Sequence, residues 1–191
     1  MRELEYPFDS EYILKKSKKL RRELLADNRK FLHKKIAVLG GSTTHDIIRI
    51  LELFLLDQGI EPEFYESEYG QYWQDAMFDN PELLSFDPDL IFIHTSNRNI
   101  TDYPVLSDSK EQVEEKLNIQ YRHFEMMWDK LFDTYHCPVI QNNFEYPFYR
   151  LLGNKEASDF RGKIRFLTKL NEKFYEYAEN QGLVLARGNM S

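Results

Sequence analysis

The chain has 191 residues, 42% of them hydrophobic and 30% charged, which fits one globular domain with its own hydrophobic core. Its formal net charge of −7 argues against a general nucleic-acid-binding protein, since such proteins neutralise phosphates with a basic surface. The single cysteine, Cys137, excludes an internal disulfide, and no apolar stretch has the length of a membrane span. The start of the chain lacks a signal-peptide pattern, so we expect a cytoplasmic protein without nucleic-acid or membrane partners.

A segment rich in basic residues comes first, between about residues 10 and 32. Leucines alternate there with lysines and arginines, which predicts an amphipathic helix with a solvated basic face. A membrane-surface or anionic-ligand role for the basic face is the alternative. We expect residues 1–33 to form an N-terminal helix that packs on a domain of residues 34–191.

Short apolar runs then alternate with longer helical patterns. The runs predict strands at residues 35–39, 61–65, 90–94, 138–141 and 183–186. The helical patterns predict helices at about residues 44–58, 111–132 and 159–180, the first of them largely buried. This alternation predicts right-handed βαβ units, and hence a three-layer α/β/α sandwich with a five-stranded parallel sheet.

The turn after the first predicted strand, Gly40-Gly41-Ser42-Thr43-Thr44, is the leading candidate site. Ligands of parallel sheets bind beyond the carboxyl ends of the strands, and this turn leads into a helix. Backbone amides at a helix N-terminus favour an anion or a developing oxyanion, and Ser42 is a candidate nucleophile if a base reaches it. In the alternative interpretation, Ser42, Thr43 or Thr44 simply caps the helix.

Five sequence runs, in this order, resemble the N-terminal domain of FkbH-like proteins of the HAD superfamily (subfamily IIIC). They are KIAVLGGSTT at 35–44, YGQY at 69–72, FDPDLI at 86–91, QNNF at 141–144 and LGN at 152–154. That domain is similar to the SGNH (GDSL-type) hydrolases, and the resemblance covers roughly residues 34–186. It implies an SGNH/flavodoxin-like fold and a serine-dependent ester hydrolase or acyltransferase. It also implies a small acyl or glyceryl substrate, carried on an acyl carrier protein.

Carried over residue by residue, the resemblance implies that Ser42 is the nucleophile, with Gly41 and Thr43 beside it in the substrate-binding turn. Gly70 would supply a backbone amide to the oxyanion hole.

The segment Thr95-Ser96-Asn97-Arg98-Asn99 stands where SGNH enzymes have a Gly-x-Asn-Asp block. Asn97 or Asn99 would supply a side-chain donor there, but the sequence does not decide between them. Arg98 is an addition, which either holds a phosphate or carboxylate or forms a surface salt bridge. Asn143 follows the fourth strand and is expected at the same edge of the sheet.

The general base is the part of the site that the sequence does not supply. SGNH enzymes use an Asp-x-x-His pair near the C-terminus, in which the aspartate orients the basic histidine. Asp133 and His136 have this spacing, but they precede the fourth strand and so belong to the opposite edge of the sheet. Residues 187–191 contain neither an acid nor a histidine. We therefore expect either a domain truncated at its C-terminal end, followed by a HAD-like domain in a longer native chain, or a lost dyad.

His45, three residues after Ser42, is the substitute base, although its position on the helix surface argues against it. His94 is expected to be structural. The aromatic residues Tyr69, Tyr72 and Trp73 either wall a pocket or pack as a loop anchor. No histidine and carboxylate set has metal-ligand spacing, so we expect neither a metal nor another cofactor.

Two functions of different classes remain open. One is the serine ester hydrolase or acyltransferase. The other is a catalytically incomplete binding module that docks an acyl carrier protein or a partner domain. A third interpretation, a small-molecule phosphate binder, would use residues 41–44 with Arg98. A base within hydrogen-bond reach of Ser42 would favour the enzyme, and the lack of one would favour the binding module.

Overall fold

A computed structural model describes residues 1–26 and 29–186 of the chain. It confirms the predicted fold class: a five-stranded parallel sheet with helices on both faces, preceded by an N-terminal helix. The strands are β1 (Leu32–Gly40), β2 (Ile60–Glu66), β3 (Leu90–His94), β4 (Val139–Asn142) and β5 (Val184–Ala186). The helices are α1 (Ser10–Leu25), α2 (His45–Asp57), α3 (Tyr72–Met77), α4 (Pro81–Phe86), α5 (Lys110–Tyr135) and α6 (Lys163–Gln181).

The strand order is β2-β1-β3-β4-β5, the flavodoxin-like order. The chain moves outward from β1 to β2 and then crosses back to add β3 on the other side of β1. The strand order therefore reverses between β1 and β3. In open sheets of this kind, ligands bind beyond the carboxyl ends of the strands at this reversal point, which is where the turn after β1 lies.

Two separate groups of buried apolar residues hold the layers together. The larger lies between the sheet and α3, α5 and α6, with Phe124, Trp128 and Phe174 at its centre. The smaller lies between α1 and α2, where Leu20 and Leu24 meet Leu53 and Leu56. The helix α1 therefore packs on α2 rather than on the sheet, and its basic residues remain on the outer surface.

The helix α1 is shorter than predicted. Asp9 begins it by accepting a hydrogen bond from the Tyr12 amide, and it ends at Leu25 rather than near residue 32. Strand β1 starts earlier than predicted, at Leu32, and His33 already pairs with Glu61 in the parallel register. The boundary expected between residues 33 and 34 therefore falls inside a strand.

The helix α2 is less buried than its sequence predicts. Only Leu53 and Leu56 are fully buried, whereas its isoleucines and remaining leucines are half-buried. Its first turn follows the carboxyl end of β1.

Two short helices, α3 and α4, were not predicted. The α4 helix has clear local signals: Asn80 accepts from the amides of Glu82 and Leu83, and Pro81 occupies the first turn. Within the described residues, no helix combines the length and apolar character needed to cross a bilayer.

Candidate functional site

The turn after β1 is held by both neighbouring strands. The Gly40 amide donates to the Ser67 hydroxyl at 2.8 Å, just after β2, and the Gly41 amide donates to the His94 carbonyl at 2.8 Å, at the end of β3. A Cβ atom on Gly41 would lie 2.5 Å from the Asn99 side-chain nitrogen, so only glycine fits there without displacing Asn99. These contacts fix the position from which Ser42 projects.

Among the residues that the structure describes, no side chain caps the N-terminus of α2. Thr44 occupies the N-cap position, but its hydroxyl donates to Glu66 Oε1 at 2.7 Å instead of accepting from a helix amide. Thr44 is thus the N-cap residue by position, but the side-chain cap that the alternative requires of Ser42, Thr43 or Thr44 does not form among the described residues. Thr43 is exposed, Ser42 is half-buried, and the Ser42 hydroxyl makes no hydrogen bond to any residue that the structure describes. The hydroxyl and the first-turn amides are thus open to a ligand.

His45, the first residue of α2, lies beside a carboxylate. Its Nδ1 atom is 3.6 Å from Glu66 Oε2, and the other Glu66 oxygen accepts from Thr44. The two side chains are 68% and 34% exposed, so the pair borders solvent. The sequence prediction named His45 but missed Glu66. The feature that could have identified Glu66 is its position, since it is an acidic residue at the carboxyl end of β2, the strand adjacent to β1.

The segment after β3 brings two predicted asparagines into different roles. Asn99 donates from Nδ2 to the Gly41 carbonyl at 2.8 Å and accepts from the Ser96 amide at 2.8 Å. Asn97 donates from Nδ2 to Glu145 Oε1 at 2.8 Å. Asn99 therefore contacts the Ser42 turn directly, whereas Asn97 links the β3 loop to the β4 loop.

Arg98, Asn143 and Gly70 occupy three separate places around this centre. Arg98 is exposed and forms no salt bridge with any described residue. The salt bridge that the sequence analysis offered as an alternative role for Arg98 is therefore not seen within that part of the chain. Asn143 contacts Tyr175 of α6 through a 2.9 Å hydrogen bond from Nδ2, and its amide donates to the Ala186 carbonyl. Gly70 lies in the loop after Ser67 with a φ of 73°, the left-handed region that favours glycine.

His94 ends β3 and is half-buried. Burial lowers the pKa of its imidazole below the usual range, while the nearby Glu145 carboxylate acts in the opposite direction. The neutral form of His94 is thus favoured, and its backbone carbonyl holds Gly41. This arrangement agrees with a structural role.

The remaining candidates lie elsewhere. His136 ends α5 in a left-handed conformation three residues before β4, so the Asp133 and His136 pair belongs to the amino edge of the sheet.

Trp73 stacks on His123 with ring centroids 3.7 Å apart, and Tyr72 is buried, so these two aromatics pack as a loop anchor. Tyr69 is exposed. No group of three or more potential metal ligands occurs within residues 1–26 and 29–186.

Comparisons with known proteins show resemblance in structure only. No protein-family model matches this chain, and no curated protein matches it by sequence. Among solved structures, it is similar to the N-terminal part of a Bacteroides fragilis protein that contains a phosphatase domain complexed with Mg. The TM-score is 0.70 and the identity 18%, over 91% of this chain and 45% of the other.

It is also similar to a gut microbial diltiazem-metabolizing enzyme, with a TM-score of 0.56 and 17% identity. That match covers 86% of this chain and 39% of the enzyme. The chain thus spans less than half the length of either neighbour. At these identities the likeness shows a shared α/β fold and does not assign an activity.

Proposed function

We propose that this chain is an SGNH-like, serine-dependent ester hydrolase or acyltransferase. Ser42 is its nucleophile, His45 its general base and Glu66 the residue that orients His45. The observation that carries the proposal is the His45–Glu66 pair, in which 3.6 Å separate Nδ1 and Oε2. His45 follows Ser42 by three residues, and the Ser42 hydroxyl makes no hydrogen bond to any described residue. A carboxylate at Nδ1 keeps that nitrogen protonated and leaves Nε2 as the proton acceptor.

In the proposed reaction, Ser42 Oγ attacks the acyl carbon of an ester and transfers its proton to His45 Nε2. His45 then returns this proton to the leaving alcohol oxygen, and an acyl-serine remains. Water or a second hydroxyl group releases the acyl group by the reverse route. The 3.6 Å separation exceeds hydrogen-bond length, so the proposal requires the pair to close when substrate binds, as catalytic hydrogen bonds commonly do.

The developing oxyanion would be stabilised by backbone amides of Ser42 and Gly70 and by the uncapped N-terminus of α2. An asparagine amide group carries two N–H donors, and Asn99 uses one of them on the Gly41 carbonyl. Its second N–H is the side-chain donor that we assign to the oxyanion hole. This choice follows from the Gly41 contact, which Asn97 lacks.

The resemblance to FkbH-like proteins supports a finer proposal about the whole protein. We propose that the SGNH-like domain begins at Leu32, where β1 starts, rather than at residue 34, and that an N-terminal helical segment precedes it. We propose also a HAD-like domain in a longer native chain. The phosphatase domain in the Bacteroides fragilis neighbour supports this arrangement by analogy. A small acyl or glyceryl group on an acyl carrier protein is the proposed substrate, and the cytoplasm the proposed location.

Hydrolysis of short-chain p-nitrophenyl esters tests the catalytic roles. We expect Ser42→Ala and His45→Gln each to lower kcat/KM by about 10²-fold or more. The chain offers a matched control in His33, whose Nδ1 lies 3.2 Å from Glu61 Oε2 near the opposite end of the same two strands. His33→Gln removes the same kind of pair and should leave turnover unchanged. Wild-type turnover that survives Ser42→Ala would contradict the proposed nucleophile.

The binding module is the second candidate, because Ser42 and His45 form no hydrogen bond in the described structure. This alternative predicts that an acyl carrier protein binds the wild-type chain without loss of its acyl group. Titration calorimetry with acylated carrier protein, followed by mass spectrometry of the carrier, distinguishes the two. Binding with an intact acyl group favours the module, and its release or transfer favours the enzyme.

A further inference from the structure

A cavity lies at the carboxyl edge of the sheet, and no residue of the Ser42 turn lines it. It has a volume of about 570 Å³ and opens between the loop that follows β3 and the loop that leads into α6. Its apolar lining comes mainly from Val105, Leu106, Leu151 and Leu152. Three of these side chains remain more than half exposed: Val105 at 52%, Leu106 at 66% and Leu151 at 72%. Exposed apolar side chains gathered around one cavity indicate a binding site rather than scattered surface residues.

The wall of this cavity is rigidly built. Glu156 is 2% exposed, and its two oxygens accept from the amides of Leu152 and Lys163 at 3.0 and 2.8 Å. A Cβ atom on Gly162 would lie 2.0 Å from the Glu156 carbonyl oxygen, so only glycine permits this close packing of the loop. The cavity therefore exists before any ligand arrives, which lowers the cost of binding.

One cation stands at the cavity without an acidic partner. The Lys163 ammonium lies 4.7 Å from the centre of the Tyr103 ring and 5.2 Å from that of Tyr149, and it contacts the Tyr149 hydroxyl at 3.4 Å. No carboxylate of the described residues lies within salt-bridge distance of it. The other cation of the lining, Arg161, is already paired with Asp159 through two hydrogen bonds of 3.0 Å. Lys163 is thus the group that offers a charge to a ligand.

Tyr103 connects this cavity to the candidate active site. Its ring lies at the cavity, and its hydroxyl donates to the Asn97 carbonyl at 2.7 Å. Asn97 begins the short turn whose last residue, Asn99, holds Gly41. The cavity and the Ser42 turn are therefore neighbours with separate linings.

We propose that this cavity binds a straight-chain aliphatic carboxylate. The alkyl chain would lie against the leucines and Val105, and the carboxylate would pair with the Lys163 ammonium. Apolar burial supplies the affinity, and the Lys163 ammonium, which has no acidic partner among the described residues, selects an anion over a neutral or cationic chain of equal length. This inference goes beyond the proposed esterase function and does not depend on Ser42.

Isothermal titration calorimetry with decanoate, 1-decanol and decylammonium tests the proposal on the whole chain. We expect saturable binding of one decanoate per chain, with at least about tenfold weaker binding of decanol and decylammonium. Lys163→Met should remove the preference for decanoate over decanol, and Leu106→Glu should abolish decanoate binding. The matched controls, Lys169→Met on the exposed side of α6 and Leu84→Glu on α4, should bind decanoate as the wild type does.

The same titration on Ser42→Ala separates this site from the proposed active site. Unchanged decanoate binding supports the inference, even if esters are not hydrolysed by the wild type. Loss of binding in Ser42→Ala would overturn it, because decanoate would then occupy the Ser42 turn. Equal affinities for the three ligands, or no saturable binding of decanoate, would also overturn it.

Discussion

The Asn99 side chain donates a hydrogen bond to the Gly41 carbonyl oxygen at 2.8 Å, and through it the ends of β3 and β1 are joined beside Ser42. The contact leaves no room for another atom on Gly41, since a Cβ there would lie 2.5 to 2.6 Å from three Asn99 atoms. The two residues therefore act as one unit, and substitutions at them should not be independent.

Gly41→Ala is expected to destabilise the chain by about 1–3 kcal/mol, because its methyl group must displace Asn99. In a chain that already carries Asn99→Ala, the same methyl group meets an empty space, and most of this cost should disappear. Urea denaturation of the two single variants and the double variant measures the coupling. Additive effects would contradict the close approach of the two residues.

Glu66→Gln is expected to lower kcat for ester hydrolysis at least about tenfold, with little change in KM. A glutamine keeps an oxygen for the Thr44 hydroxyl but loses the charge that stabilises a protonated His45. Glu61→Gln is the matched control, since it alters the corresponding pair with His33. Equal turnover in the wild type and Glu66→Gln would remove Glu66 from the mechanism and leave His45 without an orienting group.

The stability of the chain should fall as the pH drops from about 7.5 to about 6. Burial lowers the pKa of His94 and of His123 in the folded state, so the unfolded chain binds protons more readily across this window. His94→Asn and His123→Asn should each flatten the pH dependence of the unfolding free energy. A pH dependence that is identical in the wild type and both variants would show that these imidazoles are not responsible.

Asn142→Leu should be among the more destabilising substitutions in the sheet. The Asn142 side chain accepts from the Thr95 amide at 2.8 Å and donates to the Thr95 carbonyl at 2.6 Å, where Thr95 is fully buried. Leucine would leave both backbone groups unpaired, at a cost of about 2–5 kcal/mol. Chemical denaturation measures this, with Asn118→Leu on the exposed face of α5 as a control that should change stability by less than about 0.5 kcal/mol. A loss of similar size in both variants would point to leucine itself as the cause.

The parallel sheet could be predicted from the sequence because each strand is a short apolar run between polar or glycine-containing turns. The end of α1 was placed too late because Phe31 and Leu32 continue the apolar pattern of the helix, although Leu32 already belongs to β1. The helices α3 and α4 were missed because each has only six residues, fewer than a periodic pattern needs to be recognised.

The position of the site was also predictable, but its pairings were not. Because Ser42 directly follows a strand, it lies at the carboxyl edge of a parallel sheet in any order of the other strands. The partnership of His45 with Glu66 depends instead on β2 lying next to β1, which places Glu66 beside the start of α2. The choice between Asn97 and Asn99 depends on the direction of one short turn, to which the sequence gives no guide.

The contact between α1 and α2 forms an apolar cluster that is distinct from the one beneath the sheet. Both tryptophans of the chain belong to the sheet cluster: Trp128 is fully buried in it, and Trp73 packs against it. Detachment of α1 would therefore leave indole fluorescence almost unchanged while it removed helical circular dichroism. The two signals together would reveal whether the chain melts in one cooperative step or sheds its N-terminal helix first.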